Sequence, residues 1–578
     1  DFHGSRTKPV STLRTGGAGA GAGAGESRGG EPVPGAKEDR HMEHPRSAES
    51  GRSMVQVVLI WVSAMIVKSL AFWSYRSTDF EVHRNWLAIT SSLPISKWYF
   101  EDTSEWTLDY PPLFGWFEKF LSLFAVHADA KMLDIKSLNY DSDRTIFFQR
   151  STVLLTEILL LLAVLHYVGS FPYTSRFASS RNAFALDANQ ASLSIVILAA
   201  VNAGLFITDH VHFQYNGMLL GLLLLSISCI SNGQDLLGSF LFAVLVNMKH
   251  LYLSLAPAYF VYLLRHHCIS PHPRCWRTGS NVSSVMMRFA TLGVVVLSVF
   301  GVSLVPFYVA GGLPCLKQIF QRLFPFGRGL CHAYWAPNVW VAYNLVDKAL
   351  LKVLGTRGNN VVSQGSMTGG LVGDQLHVWL PTVTPGLTIL LSLLAMAPAL
   401  VMVWSASRGP RSRLEFIHLI AYCSLASFLF GYHVHEKAVL NATLPMLLLA
   451  PLSQKHAEAY LFLCNVGHTQ LLPLLFRQEE WALRMLVCLL HLSLSGSLLP
   501  IGKATGSSLT RAVSFLYQVG LYVLPEVLEI LQPLILPHLP FLPLLFRSTY
   551  CLPGILISSY SILMLLRDET RSSQRRCD

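Results

Sequence analysis

Apolar residues gather along this chain in long uninterrupted runs, neither alternating with polar ones nor confined to one stripe of a helix. Fourteen runs are long enough, or nearly so, to cross about 30 Å of hydrocarbon as helices. They lie at 54–75, 151–170, 190–207, 216–231, 236–250, 251–265, 287–311, 384–404, 414–432, 438–452, 458–476, 481–499, 512–533 and 543–566, and 216–231, 236–250, 251–265 and 438–452 are the shortest. None has the period of two that marks a transmembrane barrel strand. The pattern predicts an all-α protein that crosses the membrane about fourteen times, with a long polar connection, 76–150, after the first helix. Residues 1–53 are different: a GGAGAGAGAGESRGG run with scattered Pro and Ser cannot bury enough apolar surface to fold and reads as a disordered extension. The chain opens on Asp1, and Met54 leads into the first apolar run with no signal-peptide cleavage site. The expected division is therefore an extension (1–53), a membrane domain (54–566) and a short basic tail (567–578).

Composition agrees with the runs. Of 578 residues, 52% are hydrophobic and 13% charged, with a mean hydropathy of +0.43. Soluble proteins carry about 25% charged residues, so a soluble domain, a coiled coil and a disordered scaffold are all excluded. The 44 basic and 34 acidic residues give a formal +10, which in a membrane protein marks topology, not nucleic-acid binding. The extension contributes 8 basic against 7 acidic residues and explains none of that excess. With the N-terminus in the cytosol, the cytosolic connections hold Arg176 and Arg181, Arg274 and Arg277, Arg408, Arg411 and Arg413, and the tail holds Arg571, Arg575 and Arg576. They are poor in acids, as the positive-inside rule requires, and Asn281 of the NVS sequon then faces the cytosol unmodified. The ten cysteines are scattered singly and suggest neither a disulfide framework nor a zinc site.

The opposite face receives the chemically unusual segments: TDFEVHRNW (78–86), LPISKWYF (93–100), TLDYPPLFGWFE (107–118), TDHVHFQYNG (208–217), NMKHLY (247–252), QRLFPFGRGLCHAYWAPNVW (321–340) and GYHVHEKAVL (431–440). Ionisable groups at a membrane boundary are costly unless paired or used, so their convergence on one face points to a site assembled from several loops. Blander readings exist. Trp86, Trp98, Tyr99 and Trp116 read as an interfacial aromatic belt, and Arg322, Arg328 and Lys437 as lipid-phosphate contacts. Asp209 with His210 and His212, or His433 with His435 and Glu436, could be metal ligands, but no HExxH-like helical spacing supports this and no metal is assigned. Together the groups suit transfer of a sugar from a lipid phosphate. Asp79 is placed as a general base whose pKa burial raises and Arg84 lowers; Arg and His groups meet a leaving phosphate; amides and aromatic faces meet sugar rings. The substrate-binding candidates are Glu81, Arg84, Asp109, His210, His212, Gln214, Tyr215, Lys249, Arg322, Arg328, His332, His435 and Lys437.

The DFE, LDYPP, HFQYN and VHEK elements, in that order from about residue 54 to the end, closely resemble the endoplasmic-reticulum dolichyl-phosphate-glucose-dependent glucosyltransferases of the multi-spanning GT-C class. The stretch RGLCHAYWAPN (328–338) is similar to the member that adds the second glucose to the lipid-linked oligosaccharide. The resemblance implies transfer of glucose from dolichyl β-D-glucosyl phosphate to monoglucosylated Man9GlcNAc2 on dolichyl pyrophosphate, forming an α-1,3 linkage by inversion, with no cofactor, in the endoplasmic-reticulum membrane and on its luminal face. It further implies that Asp79 is the base, that His435 contacts phosphate and that Asp109 is a motif acid. The extension, and Gly327 where relatives often carry a longer side chain, depart from the family pattern. The alternatives are the sibling that adds the first glucose and, remotely, a lipid or solute transporter, which would set polar groups near the midplane in repeated halves.

Overall fold

The structure is a computed structural model that describes residues 46–170, 186–269, 281–325, 329–332, 336–355, 377–406, 412–502 and 507–574. The side chains of 46–53, 412–413, 478 and 573–574 lie outside that description. So do Arg328 and most of the arginines expected on the cytosolic side. Met54–Asp578 forms one compact unit.

Each of the fourteen apolar runs falls on helical structure. Among the described residues there is no strand, only an isolated parallel bridge between Cys331 and Val434. Eight helices are long and apolar enough to cross a membrane: Met54–Trp73, Asp143–Ser170, Ala188–Val211, Val282–Leu323, Pro385–Ser405, Trp481–Leu498, Ser508–Ile535 and Leu542–Ser572. Three apolar helices fall short of that length, Asn216–Ser231, Asp235–Met248 and Leu414–Phe430. Each shorter helix abuts a polar cluster. Asn216 closes the 208–217 segment, Met248 precedes Lys249, and Phe430 precedes the 431–437 turn. The chain leaves the helical path where it builds the cluster, and that shortens the span.

Burial separates the same elements. Asn216–Ser231 and Leu440–Leu449 are buried nearly throughout, whereas only 17% of the most apolar stretch of Val282–Leu323 is buried. Helices apolar all round and open to solvent in this way are satisfied only by lipid. Ile158–Ser170 and Asp235–Met248 flank Asn216–Ser231, and Ser412–Phe430 packs on Pro385–Ser405, Leu440–Leu449 and Leu542–Gln574.

The long connection folds into a helical cap. Thr78–Ser92 begins at Ser77, whose hydroxyl accepts the Phe80 amide, and Pro112–Asp129 begins on a proline with no amide to satisfy. These two helices pack against each other. Trp86, Trp98 and Tyr99 are 1–2% exposed and form the cap's interior, so they are not the interfacial belt expected of them. Only Trp116 is open, beside exposed Phe120, Leu123 and Phe124. Helix Val282–Leu323 is broken at Gly312, where φ is 63°. Beyond the break, Gln318 and Arg322 donate to the Tyr99 carbonyl at 3.1 and 3.2 Å, docking its end on the cap.

Candidate active site

Asp79 lies in the first turn of helix Thr78–Ser92, where the helix dipole favours a carboxylate. Three donors from two distant segments converge on its Oδ2. His212 Nε2 and Lys437 Nζ each lie 3.2 Å away, and Gln214 Nε2 also donates to it. Burial pushes this carboxyl upward; the Lys437 charge, then His212 and more remotely His83, outweigh burial and hold it well below the usual carboxylate range.

His212 and Gln214 reach one carboxylate because the backbone between them is folded back. Phe206–Val211 is a π-helical turn, and Phe213 takes a left-handed φ of 78°. A buried aromatic residue pays for that conformation and holds it only if its surroundings fix the ring. Phe213 meets Phe80 and His83 edge-on at ring separations of 5.1 and 5.5 Å. Arg150 ties the segment down by donating to the carbonyls of Tyr75, His210 and Val211, and Ser77 donates to the His212 carbonyl. Asp209 accepts from Asn216 at 2.8 Å and from the Gly217 amide, and Asn216 donates at 2.8 Å to Gln214. A side chain at Gly217 would meet Glu157 at 2.9 Å, so the close approach requires glycine.

The second half of the site is the 431–437 turn and the strip 329–332. His433 also has a left-handed φ, 51°, and its amide and Nδ1 donate to the carbonyls of Leu330 and Gly329, both at 2.9 Å. His332 and His435 stack with ring centroids 3.7 Å apart, and His332 Nδ1 lies 3.3 Å from Glu436. Burial, followed by His332, Lys437, His433 and Lys249, pushes His435 well below the usual histidine range. The third part of the site is the DYPP segment with the residues before it, tied to the cap helix by Asn85 to Trp106 and Trp86 to Thr107, and to the turn beyond that helix by Tyr99 to Tyr110. Lys249 lies over the Tyr110 ring at 5.2 Å, within the fields of Lys437, Asp79, Asp209 and Asp109.

The predicted residues divide accordingly. Asp79, His212, Gln214 and Lys437 meet directly, with Lys249, Asp109, His332 and His435 around them. Glu81 and Arg84 do not join them. Arg84 grips Glu81 through two 2.7 Å bonds and donates to the carbonyls of Met132 and Asp134, so it is a brace within the cap. Lys437 and His212, not Arg84, are the cations that lower Asp79. His210 turns away to Glu157 at 2.8 Å, which also holds Lys68. Tyr215 bonds Thr152 at 2.8 Å and packs among Phe114, Phe117 and Phe213. Arg322 serves the docking described above, and Arg328 lies outside the described residues. Asp209, His210 and His212 each take a different partner, so they form no ligand set. Among the described residues, ligand atoms approach within 4.8 Å of one another in two groups, His332 with His433 and His435, and Cys464 with His468 and His491.

Sequence reasoning passed over Tyr75, His83, Arg150, Glu157 and Asn216. His83 is held by Glu118 at 2.7 Å, and Tyr75 bonds His212 Nδ1 at 2.6 Å. Glu157 sits inside an apolar run and Arg150 immediately before it, where a buried charge is itself a signal of use. Tyr75 carried no such mark.

A model of the ALG6, ALG8 glycosyltransferase family matches residues 64–562. The chain is 44% identical over 508 residues to the dolichyl pyrophosphate Glc1Man9GlcNAc2 alpha-1,3-glucosyltransferase of Mus musculus, a match covering 86% of this chain and 93% of that protein. The protein of the same name from Arabidopsis thaliana is 42% identical over 520 residues, 87% of this chain and 96% of its own length. That of Dictyostelium discoideum is 40% identical over 476 residues, 73% and 75% of the two chains. The matched stretch contains Asp79, His212 and Lys437 together with the helices that position them, and the chain belongs to the ALG6, ALG8 glycosyltransferase family.

Proposed function

We propose that this chain transfers glucose from dolichyl β-D-glucosyl phosphate to monoglucosylated Man9GlcNAc2 on dolichyl pyrophosphate, forming an α-1,3 linkage with inversion, at the luminal face of the endoplasmic-reticulum membrane. The observation that carries the reading is the Asp79 carboxylate, with three donors gathered on Oδ2, one of them Lys437 of the histidine-rich turn. Relatives of the same family named for this activity supply the substrate classes.

Asp79 Oδ1, opposite the three donors, takes the proton of the acceptor hydroxyl. The acceptor oxygen forms a bond to C1 of the glucose as the C1–O bond to phosphate breaks, and the electron pair leaves with dolichyl phosphate. One in-line displacement inverts the β donor to an α product and needs no protein nucleophile. Lys437, His435 and His332 are placed to meet the charge that grows on the departing phosphate. Lys437 links the two events. In the substrate-free protein its charge helps hold Asp79 low; a bound phosphate draws on that same charge, and Asp79 becomes more basic when a proton must be taken. Lys249, over the Tyr110 ring and within the fields of Asp79 and Asp109, would meet acceptor hydroxyls together with Tyr110 and Asp109.

The test is transfer by the purified chain in detergent, with dolichyl phosphate glucose and either unglucosylated or monoglucosylated acceptor. Product is expected from the monoglucosylated acceptor alone. Transfer to the unglucosylated one identifies the first-glucose activity instead, and transfer to neither overturns the assignment.

A further inference from the structure

His212 stands between two groups that dictate where its protons lie. Its Nδ1 is 2.6 Å from the Tyr75 hydroxyl, and that hydroxyl is 2.6 Å from the Leu474 carbonyl. A carbonyl can only accept, so the single phenolic hydrogen points at Leu474 and Tyr75 Oη receives the hydrogen of His212 Nδ1. Nδ1 is therefore protonated. The other ring nitrogen, Nε2, lies 3.2 Å from Asp79 Oδ2, and a carboxylate also only accepts. With its hydrogen committed to Nδ1, a neutral ring would turn a lone pair on the carboxylate; the imidazolium offers a second N–H.

We propose that His212 is a positioning residue for Asp79 that works only as the imidazolium, with Tyr75 and the Leu474 carbonyl denying it the one neutral tautomer that could replace it. The inference rests on Asp79 being the base.

The ring cannot escape by turning. Ser77 holds the His212 carbonyl, Arg150 holds the carbonyls of the two preceding residues, and the side chain is 9% exposed. Loss of the Nε2 proton is thus felt at Asp79. The charged and titratable groups around this contact come from several elements. Asp79 and His83 stand on the cap helix, Lys437 on the 431–437 turn and Arg150 on Asp143–Thr156; Arg477 lies over the Tyr75 ring at 5.8 Å. Lys437 does not duplicate His212, because the leaving phosphate competes for it.

The experiment compares kcat, at saturating donor and acceptor, against pH for the full chain in detergent and for Tyr75→Phe, His212→Gln and Asp79→Asn. The unmodified chain is expected to lose activity on the alkaline side as one proton leaves. In Tyr75→Phe the ring is free to carry its hydrogen on Nε2 while neutral. Its overall rate falls through the missing bond, but that alkaline limb flattens. His212→Gln, a donor without a charge, also lacks the limb, and its kcat is expected to fall about tenfold with little change in KM. Should Tyr75→Phe not fold, His212→Gln leaves the Tyr75–Leu474 bond in place and reads the same limb. Profiles of one shape for the chain and the folded variants overturn the role of His212. An active Asp79→Asn overturns the base assignment, a separate failure from that of His212.

Discussion

The clearest residue-scale contrast is between two groups beside one cation. Asp79 is held anionic by Lys437 and His212, and His435, facing the same lysine and two other imidazoles, is held neutral. Replacing Asp79 by Asn keeps the hydrogen bond from Lys437 or His212 to a side-chain oxygen and removes the base, so kcat should fall by roughly 10²–10⁴-fold while thermal unfolding in detergent changes little. His435 supplies a pH effect with a definite sign. Its folded pKa lies below the ordinary histidine range because burial and neighbouring cations oppose a further charge. A bound phosphate opposes neither, so donor binding takes up a proton, and the apparent donor KM should rise with pH by up to about tenfold per unit above that pKa. His435→Asn should flatten the dependence and raise KM at low pH; a donor KM independent of pH in the unmodified chain would remove His435 from the phosphate site.

Elements explain why some neighbours in sequence are partners in the site and others are not. Helical spacing points Glu81 and Arg84 to one face of the cap helix, with Asp79 at its open end, and the two charges close on each other. Arg84 is fully buried and Glu81 nearly so. Arg84→Met leaves a buried carboxylate without its cation and should cost about 3–5 kcal/mol, read as a drop in thermal stability, while the double replacement with Glu81→Gln should recover most of it. Retained stability in Arg84→Met, with a raised donor KM, would return Arg84 to substrate binding. The helices themselves were readable from the apolar runs, since hydrocarbon demands continuous helix and uninterrupted apolar sequence. The aromatic residues of 86–99 were misplaced because the same amphipathic rings suit a membrane interface and the dry interior of a soluble cap equally, and composition does not tell the two apart. His212 was readable as a candidate and its tautomer was not, for that depends on Tyr75 and on a carbonyl 399 positions from it along the chain.

At the scale of the whole molecule, the site draws on segments from residue 75 to residue 474, and the contacts described above that position them all lie beyond Met54. The family match begins at residue 64, and the alignment to the Mus musculus relative covers 93% of that protein but 86% of this chain. The Gly/Ala-rich segment lies outside the family match. Its removal takes away 8 Lys and Arg but none of the arginines of the later loops, so the positive-inside bias that those loops carry still orients the chain. A chain started at Met54 should therefore insert the same way round, as read by protease mapping of its C-terminal tail. It should also keep kcat/KM for donor and acceptor within about twofold. A loss of more than about tenfold with topology intact would give the segment a part in catalysis; inverted topology would show that its own arginines, not those of the later loops, orient the first helix.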